Sequence, residues 1–500
     1  MTAASLLIRA DASIAIGTGH AMRCLALAQA WQDAGGPAVF AMAEATSAIQ
    51  RRLVAEGCEV VSVSSAAGTA EDARQTIALG REQKAEWIVV DGYHFAADYQ
   101  RALKAAGFKI LFLDDYGHSQ HYSADLVLNQ NVCARAERYI DREPQTRLLL
   151  GPRYCLVRRE FGAWRDWNRE VLPLCYHVLV MMGGSDSENL TARVIQALAL
   201  AGLEDVGTTV VVGGSNPHFV MLQNLAAQSG QKITLRRDVS NMAEPMAAAD
   251  VAISAAGSTC WELCLLGLPA LLVDVADNQS ELAKELDRRG CAIRVGDRTV
   301  SLERIAEQLK RLGGSQELRQ SLSQRSRELV DGDGAMRVVS VLRGTEGMRL
   351  RRARADDIRL LWEWANDPEV RAASFSSAPI PWETHVVWFA EKVGQNRSLL
   401  FIAEDEEGIA FGQIRFDLKG GEAELNLSLA KEKRGIGLAV PLIEAGVREV
   451  LAGTECERVH AFVKPQNAAS ARAFEKAGFV RVGMEQVREN SAVHFICGRN

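Results

Sequence analysis

Short apolar runs alternate with amphipathic segments from the start of the chain to about residue 345. The first such runs lie at 5–11, 37–42, 86–91, 109–115 and 124–131, and an amphipathic helix is predicted from about residue 20 to residue 35. Buried strands that alternate with helices are typical of βαβ units and a parallel sheet. The pattern predicts a doubly wound α/β domain over residues 1–155.

A second series of the same kind follows a basic, aromatic stretch at 151–168. Its apolar runs lie within 176–189, 208–217, 232–241, 249–258 and 268–279, and its last helix ends near residue 337. Each run precedes a loop and a helical segment, as in a parallel sheet. We expect a second doubly wound domain over residues 156–343 that faces the first across a cleft.

The pattern changes again after about residue 345. A helix is predicted over 356–366, and longer strands are predicted at 399–404, 409–417 and 421–429. This order is typical of a mixed α/β domain, which we place at residues 347–500. A chain of 500 residues is long enough for three such domains.

Composition narrows the functional classes. The net charge of −6 argues against general binding of nucleic acid, because there is no basic excess to neutralise phosphates. No apolar run is long enough to span a membrane, and the amino terminus lacks the features of a signal peptide. The ten cysteines are scattered without metal-ligand spacing, so we expect reduced thiols, no metal and a cytoplasmic protein. Composition leaves the oligomeric state open.

The loop at 16–23 carries the first candidate chemistry. Gly17 and Gly19 permit positive φ or close approach of a ligand, and the helix that follows offers free amides to an anion. His20 lies at the helix start, where the dipole disfavours its charged form. It is therefore either a general base for water or a sugar hydroxyl, or simply part of the helix cap.

Other polar residues follow neighbouring predicted strands. Asp11 ends the first strand, and Tyr93 follows the strand that ends in the residues VVD. Arg23 stands one turn into the helix, where it could meet a phosphate or form a salt bridge. We expect His118 and His121 to be solvated loop residues.

The second domain shows two further glycine-containing loops. Gly183, Gly184 and Ser185 stand between a strand and a helix, in a position suited to phosphate contact. In the segment 254–279, Gly257 and Ser258 open a helix, and Glu262 lies on its first turns. That carboxylate could accept hydrogen bonds from both hydroxyls of a ribose or could be an ordinary surface group. Asn278 and Gln279 begin the next helix.

These residues carry a resemblance. The segment 254–279 resembles the UDP-binding half of GT-B enzymes, such as the peptidoglycan N-acetylglucosaminyltransferase that forms lipid II. Together with the glycine loop around His20, the DGY at 91–93, GPRYCLVRREF and MGGSD, it resembles the UDP-sugar hydrolase family of pseudaminic acid biosynthesis over about residues 5–335. The resemblance implies a GT-B-like pair of domains and hydrolysis of UDP-2,4-diacetamido-2,4,6-trideoxy-β-L-altropyranose. It also implies that His20 is the base.

The third domain contains a glycine loop at the start of a predicted helix. A strand that includes Leu427 ends at about Leu429, and a basic turn then leads into the sequence RGIGLA at 434–439. A row of amides at a helix start suits a pyrophosphate. About 30 residues later, the segment 467–479 predicts another short helix.

Both segments resemble the GNAT acetyltransferases. The resemblance implies that acetyl-CoA is the co-substrate and that it contacts the residues Leu427, Leu429, Arg434, Gly435, Gly437, Ala439, Asn467 and Phe474. Phe474 takes the position where many members have a tyrosine that protonates the departing thiolate. The group that protonates CoA is therefore left open. Glu422 and Glu424 could assist deprotonation of the amine, or could simply form an exposed carboxylate face.

The segments 360–371 and 382–389 resemble GNAT members that act on nucleotide-linked amino sugars and related ribosomal-protein acetylases. In the pathway of the resembled hydrolase, acetylation of a UDP-linked 4-amino sugar directly precedes the release of UDP. The resemblances together imply a bifunctional enzyme whose partners are a UDP-linked amino sugar and acetyl-CoA. The alternatives are a GT-B glycosyltransferase, or a nucleotide-sugar sensor fused to a protein N-acetyltransferase.

Overall fold

The computed structural model describes residues 5–202, 205–394, 397–405, 407–435, 437–487 and 490–498. These residues form two compact units that divide between residues 339 and 340. We call them the amino-terminal unit and the carboxyl-terminal unit, and each is described by itself.

The first sheet of the amino-terminal unit has seven parallel strands in the order β3-β2-β1-β4-β5-β6-β7. The strands are β1 (Ser5–Ala10), β2 (Ala38–Met42), β3 (Glu59–Ser62), β4 (Ala85–Asp91), β5 (Lys109–Leu113), β6 (Leu126–Asn129) and β7 (Arg147–Leu150). The helices between them are α1 (Gly19–Asp33), α2 (Ser47–Ala55), α3 (Ala70–Glu82) and α4 (Ala97–Ala105). The edge strands β3 and β7 were not predicted, because they are short and half-exposed.

The second sheet has six parallel strands in the order β10-β9-β8-β11-β12-β13. They are β8 (His177–Met181), β9 (Gly207–Val212), β10 (Ile233–Arg237), β11 (Val251–Ala255), β12 (Ala270–Asp274) and β13 (Ile293–Asp297). The helices are α5 (Leu190–Leu200), α6 (Phe219–Gln228), α7 (Ala243–Ala248), α8 (Thr259–Leu265), α9 (Ser280–Arg288), α10 (Leu302–Gly314), α11 (Gln316–Arg327) and α12 (Gly334–Leu342). Apolar side chains pack on both faces of this sheet, which explains its continuous apolar strands.

In both parallel sheets the order in which the chain adds strands reverses at the centre of the sheet. In the first sheet the chain order runs outward from β1 on one side and from β4 on the other, and β8 and β11 play the same part in the second sheet. Ligands of such sheets bind beyond the carboxyl ends of the strands at this switch point. A ligand site is therefore expected at the loops that follow β1, β4, β8 and β11.

The carboxyl-terminal unit is built on a seven-stranded mixed sheet in the order β14-β15-β16-β17-β18-β20-β19. Its strands are β14 (Arg349–Arg352), β15 (Ser398–Glu404), β16 (Ala410–Lys419), β17 (Glu422–Leu429), β18 (Arg458–Val463), β19 (Val480–Val487) and β20 (Asn490–Gly498). Its helices are α13 (Ile358–Ala365), α14 (Pro368–Ala373), α15 (Trp382–Gly394), α16 (Ala439–Gly453) and α17 (Ala468–Lys476). The pairing of β17 with β18 is parallel, and the other pairings are antiparallel.

The two faces of this mixed sheet differ. Helices α16 and α17 cover one face through a large apolar core that includes Ile414, Leu442 and Phe474. Helices α13 and α15 pack on the other face against Leu400 and Ile402, in a smaller apolar cluster. The predicted fold class, two doubly wound α/β domains followed by a GNAT-type domain, is confirmed. The domain boundary at residue 155 stays a prediction, because both parallel sheets belong to one unit.

In the part of the chain that the structure describes, no helix is long and apolar enough to cross a membrane. All ten cysteines are free thiols.

Candidate active sites

His20 and Asp91 form a hydrogen-bonded pair at the switch point of the first sheet. His20 is the second residue of α1, which follows β1, and Asp91 is the last residue of the adjacent strand β4. The Nδ1 atom of His20 lies 2.7 Å from Oδ1 of Asp91. A carboxylate that accepts the Nδ1 proton leaves Nε2 as the basic nitrogen. The His20 side chain keeps 11% of its surface exposed and borders a cavity.

Arg23 holds the carboxylate of this pair in place through hydrogen bonds. Its Nε and one terminal nitrogen donate to Asp91 at 2.7 and 2.6 Å, and its other terminal nitrogen donates to Asp115 at 2.7 Å. Burial alone would raise the pKa of Asp91, but the charges of Arg23 and His20 outweigh it and hold that pKa far below its usual range. Asp91 is therefore ionised. Because three nitrogens of Arg23 bind carboxylates, its predicted contact with a phosphate has no support, and the salt-bridge alternative is the one observed.

Tyr93 joins the two halves of the amino-terminal unit. Its hydroxyl donates to Asp115 at 2.6 Å and accepts from the side-chain amide of Asn278 at 2.6 Å. Its ring stands edge-on to His20, with 4.9 Å between the ring centroids. Burial and the neighbouring Asp115 charge raise the pKa of the phenol, which stays protonated. Tyr93 therefore connects the His20 cluster to the first turn after β12.

Asp11 supports the loop that precedes His20. One carboxylate oxygen accepts hydrogen bonds from the backbone amides of Ala43 and Glu44 at 2.7 and 3.0 Å, and it also lies 2.8 Å from Arg9. Asp11 is buried at the cavity wall. These contacts give it a structural part in holding the loops after β1 and β2.

The glycine loops of the two halves meet at the cavity. Gly17 has a φ of +82°, and Gly183 has a φ of +92°. A Cβ atom on Gly184 would come within 2.1 Å of Oγ1 of Thr18, so only glycine allows this approach of the two loops. Gly19 and Ser185 also line the cavity.

The start of α5 is not open to a phosphate in the way that the sequence predicts. Asp186 accepts hydrogen bonds from the backbone amides of Leu190 and Thr191 at 2.8 and 3.0 Å. It thereby occupies the first free amides of α5. Any contact of this loop with an anion would have to come from the amides before Asp186, at Gly183–Ser185.

Glu262 is held by a buried arginine. Nε of Arg158 donates to Oε1 at 2.7 Å, and a terminal nitrogen donates to Oε2 at 2.9 Å. Gly257 and Ser258 precede α8 beside this ion pair at the cavity wall. The side chain of Gln279 accepts from the amide of Val275 at 3.1 Å, so it closes its own turn while bordering the cavity. Glu262 is 6% exposed and paired with Arg158, so the surface-carboxylate alternative is wrong.

One cavity of about 800 Å³ unites these groups. Its wall comes from both halves of the unit and contains every residue that the sequence predicts for this site, namely Asp11, Gly17, Gly19, His20, Arg23, Tyr93, Gly183, Gly184, Ser185, Gly257, Ser258, Glu262, Asn278 and Gln279. The predicted residues thus converge on one space. Among the described residues, no cluster of three or more His, Cys, Asp or Glu side chains is placed to hold a metal ion.

The carboxyl-terminal unit has a gap between two neighbouring strands. β17 and β18 pair at Glu422, Ala423 and Glu424, and beyond those residues the two strands continue without pairing to each other. The backbone of β17 from Leu425 to Leu429 therefore faces an opening on that side. The side chains of Leu427 and Leu429 pack with the apolar core, so a ligand in the gap would meet their backbone.

The glycine loop after β17 leads to the start of α16 at Ala439. Gly435 and Gly437 have φ values of +76° and +91°, and Ile436 lies outside the described residues. Arg434 donates to the carbonyl oxygen of Leu429 at 3.0 Å and to Asp367 at 2.7 Å. Its side chain thus ties the loop to the start of α14.

Two of the predicted cofactor residues have structural contacts of their own. The side chain of Asn467 caps α17 by accepting from the amide of Ser470 at 3.1 Å. Phe474 is buried, and its ring packs against Phe479 and Phe495 with centroid distances of 5.1 and 5.9 Å. A phenylalanine at this place belongs to the apolar core.

The chain resembles known proteins in both units. A family model described as an acetyltransferase (GNAT) domain matches residues 348–480, and a glycosyltransferase family 28 C-terminal domain matches residues 177–333. The UDP-2,4-diacetamido-2,4,6-trideoxy-β-L-altropyranose hydrolase of Campylobacter jejuni is 30% identical over 288 residues, which cover 57% of this chain and 97% of that protein. The chain belongs to this hydrolase family.

Two other relatives extend the comparison. A spore coat polysaccharide biosynthesis protein of Bacillus subtilis is 29% identical over 235 residues, or 47% of this chain and 68% of that protein. An uncharacterized protein of Methanocaldococcus jannaschii is 22% identical over 513 residues, which cover 97% of this chain and 98% of that protein. The chain is thus an enzyme that joins a unit of the hydrolase family to a GNAT acetyltransferase unit.

Four residues of the hydrolase-family site escaped prediction. They are Asp91, Asp115, Asn131 and Arg158, of which Asn131 donates to Asp115 at 2.9 Å. A signal for Asp91 and Asp115 was present, since each directly follows or ends an apolar run at the carboxyl edge of the sheet. Arg158 lies in an irregular segment, where no periodicity indicates which way a side chain points.

His118 is not solvated, contrary to the prediction. Its side chain is 7% exposed, and Nδ1 lies 3.3 Å from Oδ2 of Asp114. Burial works against the charged imidazole, but Asp114 outweighs it and raises the pKa of His118. The centroid of its ring lies 5.5 Å from that of the Tyr93 ring, so His118 packs against a residue of the site. His121 is more exposed, at 27%, and lies beside Asp141 and Glu143.

Proposed function

We propose that the amino-terminal unit hydrolyses UDP-2,4-diacetamido-2,4,6-trideoxy-β-L-altropyranose to UDP and the free sugar, with His20 as the general base. The observation that carries this proposal is the His20–Asp91 pair at a cavity that both halves line. Membership of the hydrolase family supports the choice of substrate.

The geometry suits a base that acts on water. The ionised Asp91 can accept the Nδ1 proton of His20, and Nε2 of His20 makes no hydrogen bond to a described residue. In the proposed step, Nε2 takes a proton from a water molecule whose oxygen bonds to the anomeric carbon. The bond from that carbon to the diphosphate oxygen breaks, and UDP leaves as an anion. His20 then returns its proton to solvent.

The other side of the cavity would hold UDP. The backbone amides of Gly183, Gly184 and Ser185 are the proposed contacts of the diphosphate, since Asp186 occupies those of α5. Each oxygen of Glu262 keeps a free lone pair while it accepts from Arg158, so it can still accept from a ribose hydroxyl. Asn278 and Tyr93 close the cavity near the sugar.

We further propose that the carboxyl-terminal unit transfers an acetyl group from acetyl-CoA to the 4-amino group of the precursor UDP-sugar. The gap between β17 and β18 would receive the pantetheine arm, and the amides of Gly435 and of residues 437–439 would meet the pyrophosphate. The product of this step would be the substrate of the other unit. We also propose that both steps take place in the cytoplasm.

Release of UDP from the purified UDP-diacetamido sugar tests the hydrolase. The wild type should release UDP without any acceptor, whereas His20→Ala should lose on the order of 10²–10⁴-fold in kcat and still bind the UDP-sugar. His121→Ala, in a partly exposed loop outside the cavity, is the matched control and should keep full turnover. A large binding defect in His20→Ala would show that His20 is structural.

The family 28 match makes a glycosyltransferase the second candidate, in which His20 would deprotonate an acceptor hydroxyl. Dependence of UDP release on an added acceptor would establish that alternative. For the other unit, the assay is CoA release with a UDP-4-amino-4,6-dideoxy sugar and acetyl-CoA. Acetylation of peptides but not of this sugar would reject the proposed substrate.

A further inference from the structure

Two histidines touch each other on the sheet of the carboxyl-terminal unit, between two carboxylates. Nδ1 of His460 on β18 lies 2.9 Å from Nε2 of His494 on β20. On the far side, Nδ1 of His494 lies 2.6 Å from a carboxylate oxygen of Glu485. On the near side, Nε2 of His460 lies 3.4 Å from Glu422. The four groups form a continuous line.

His460, the first histidine of the line, lies where the pairing of β17 with β18 ends. Glu424 and His460 are the last paired residues of these two strands, and Asp417 of β16 stands opposite Glu424 in the same row. Paired residues of neighbouring strands point to the same face of a sheet. His460 therefore stands at the closed end of the gap, on the face opposite to the core under α16 and α17, where Val459 and Ala461 point.

Burial changes along the line. The His460 and His494 side chains are 17% and 7% exposed, and Phe462 stacks on His494 with 4.6 Å between ring centroids. Glu485 is 51% exposed. Nε2 of His460 and Nδ1 of His494 are both buried, and each lies beside a carboxylate, at 3.4 Å from Glu422 and 2.6 Å from Glu485, without the angles of a hydrogen bond. The line thus runs from a buried nitrogen beside Glu422 to a carboxylate that is half exposed at the surface.

We propose that His460 takes the proton from the acceptor amine and that His494 and Glu485 pass it to solvent. This inference rests on the proposed acetyl transfer and names its base. His460 is the catalytic residue, and His494 and Glu485 are positioning residues that set its tautomer and carry the proton away. Imidazole can accept a proton on one nitrogen and release one from the other, as such a relay requires.

The step balances in atoms and charge. The acceptor enters as an ammonium group and gives one proton to Nε2 of His460, while the Nδ1 proton moves to His494 and onward to Glu485 and solvent. The free amine then bonds to the thioester carbon, and the carbon–sulfur bond breaks. The second amine proton ends on the CoA sulfur, so the products are the acetamide, CoA thiol and one proton in solvent.

The neighbouring charges favour the histidines over the carboxylates as the base. Glu422 forms a short ion pair with Arg458, which stabilises its charged form. Asp417 is held by Lys392 at 2.7 Å and by Arg415 at 3.0 Å. Glu424 is exposed. The sequence had left Glu422 and Glu424 as the candidates for this role.

The test compares His460→Gln and His494→Gln with the wild type in steady-state acetylation of the UDP-4-amino sugar. His460→Gln should lose about 100-fold in kcat at pH 7 with an unchanged Kd for acetyl-CoA. Its defect should shrink by about tenfold for each pH unit up to the pKa of the amine, since the amine then deprotonates by itself. His494→Gln should lose about tenfold, and the double variant no more than His460→Gln.

The control is Glu449→Gln, an exposed acid on α16, which should match the wild type. Glu485→Gln should fall between the control and His494→Gln. A His460→Gln enzyme that keeps more than half of the wild-type kcat, or a defect that is the same at every pH, would overturn the relay.

Failure of the substrate proposal gives a different result. In that case the wild type does not acetylate the UDP-4-amino sugar at all. The same pH series is then run with the amine that the wild type accepts from a set of amino sugars, polyamines and peptides, because the relay concerns the amine proton. A His460→Gln enzyme that keeps more than half of the wild-type kcat, or a defect that is the same at every pH, would again overturn the relay.

Discussion

The candidate sites of the two units differ in whether side chains or backbone groups form them. In the amino-terminal unit, charged side chains at the carboxyl ends of two strands fix His20 through a buried Asp91–Arg23–Asp115 network. In the carboxyl-terminal unit, the opening is made by backbone, through strands that part and glycines with positive φ. The first site should therefore be sensitive to the loss of single polar atoms. The second should be sensitive to changes in backbone shape.

The largest effect is expected from Asp91→Asn. An amide no longer fixes His20 in this tautomer, because it has one oxygen where Asp91 uses two for His20 and Arg23, and its NH2 group can donate to Nδ1. We expect kcat for UDP release to fall on the order of 10³-fold, with acetylation unchanged. Both rates are measured on the same preparation. Asp98→Asn, at an exposed position on α4, serves as the control, and a loss in that variant would point to a general defect.

Next in size is the effect of Gly437→Val. A β-branched side chain at a φ of +91° costs at least about 1–2 kcal/mol and would move the amides that precede α16. Acetyl-CoA should bind about 5–30-fold more weakly in calorimetry, with UDP release intact. Gly453→Ala, at the end of α16 with free space around it, should leave the Kd unchanged. Equal weakening in both variants would contradict the assigned loop.

Asn278→Ala should have a smaller effect on the first site. The variant removes the 2.6 Å hydrogen bond that joins Tyr93 to the other half of the unit. The loss of one such bond corresponds to about 1 kcal/mol, or about fivefold in kcat/KM for the UDP-sugar. Tyr93→Phe combined with Asn278→Ala should lose little more than Tyr93→Phe alone. Fully additive losses would show that the two side chains act separately.

The smallest effect is on stability in acid. Burial opposes the charge of Asp91 and Asp115, yet Arg23 outweighs burial and lowers the pKa of both below their unfolded value of about 3.9. Their contribution to stability is therefore complete above pH 4 and is lost as the pH falls below it. Hydrogen exchange of β4 peptides should accelerate between pH 4 and pH 3 after correction for intrinsic rates. Asp115→Asn should weaken that dependence.

The sequence predicts the central elements of both sheets and the residues of the first cavity. That success has a physical cause, because parallel strands buried on both faces leave long apolar runs, and glycine loops mark the strand–helix junctions. The edge strands β3, β7 and β13 gave no such run. They are short, and several of their side chains remain exposed.

The partners of the predicted residues were harder to find. Arg158 meets Glu262 across 104 positions of sequence, and Asn278 meets Tyr93 across 185. No local periodicity encodes such contacts, which arise only when the two halves of the unit come together. His460 and His494 were missed for a related reason, since two single histidines on apolar strands resemble ordinary core residues until the register places them side by side.

One measurement tests the central claim that the chain first acetylates and then hydrolyses a UDP-sugar. The UDP-4-amino-4,6-dideoxy sugar is incubated with acetyl-CoA and the wild-type enzyme in oxygen-18 water, and the products are analysed by mass spectrometry. We expect a free diacetamido sugar with one oxygen-18 at the anomeric carbon, together with unlabelled UDP. Label in the UDP phosphate, or accumulation of the acetylated UDP-sugar without release of UDP, would contradict it.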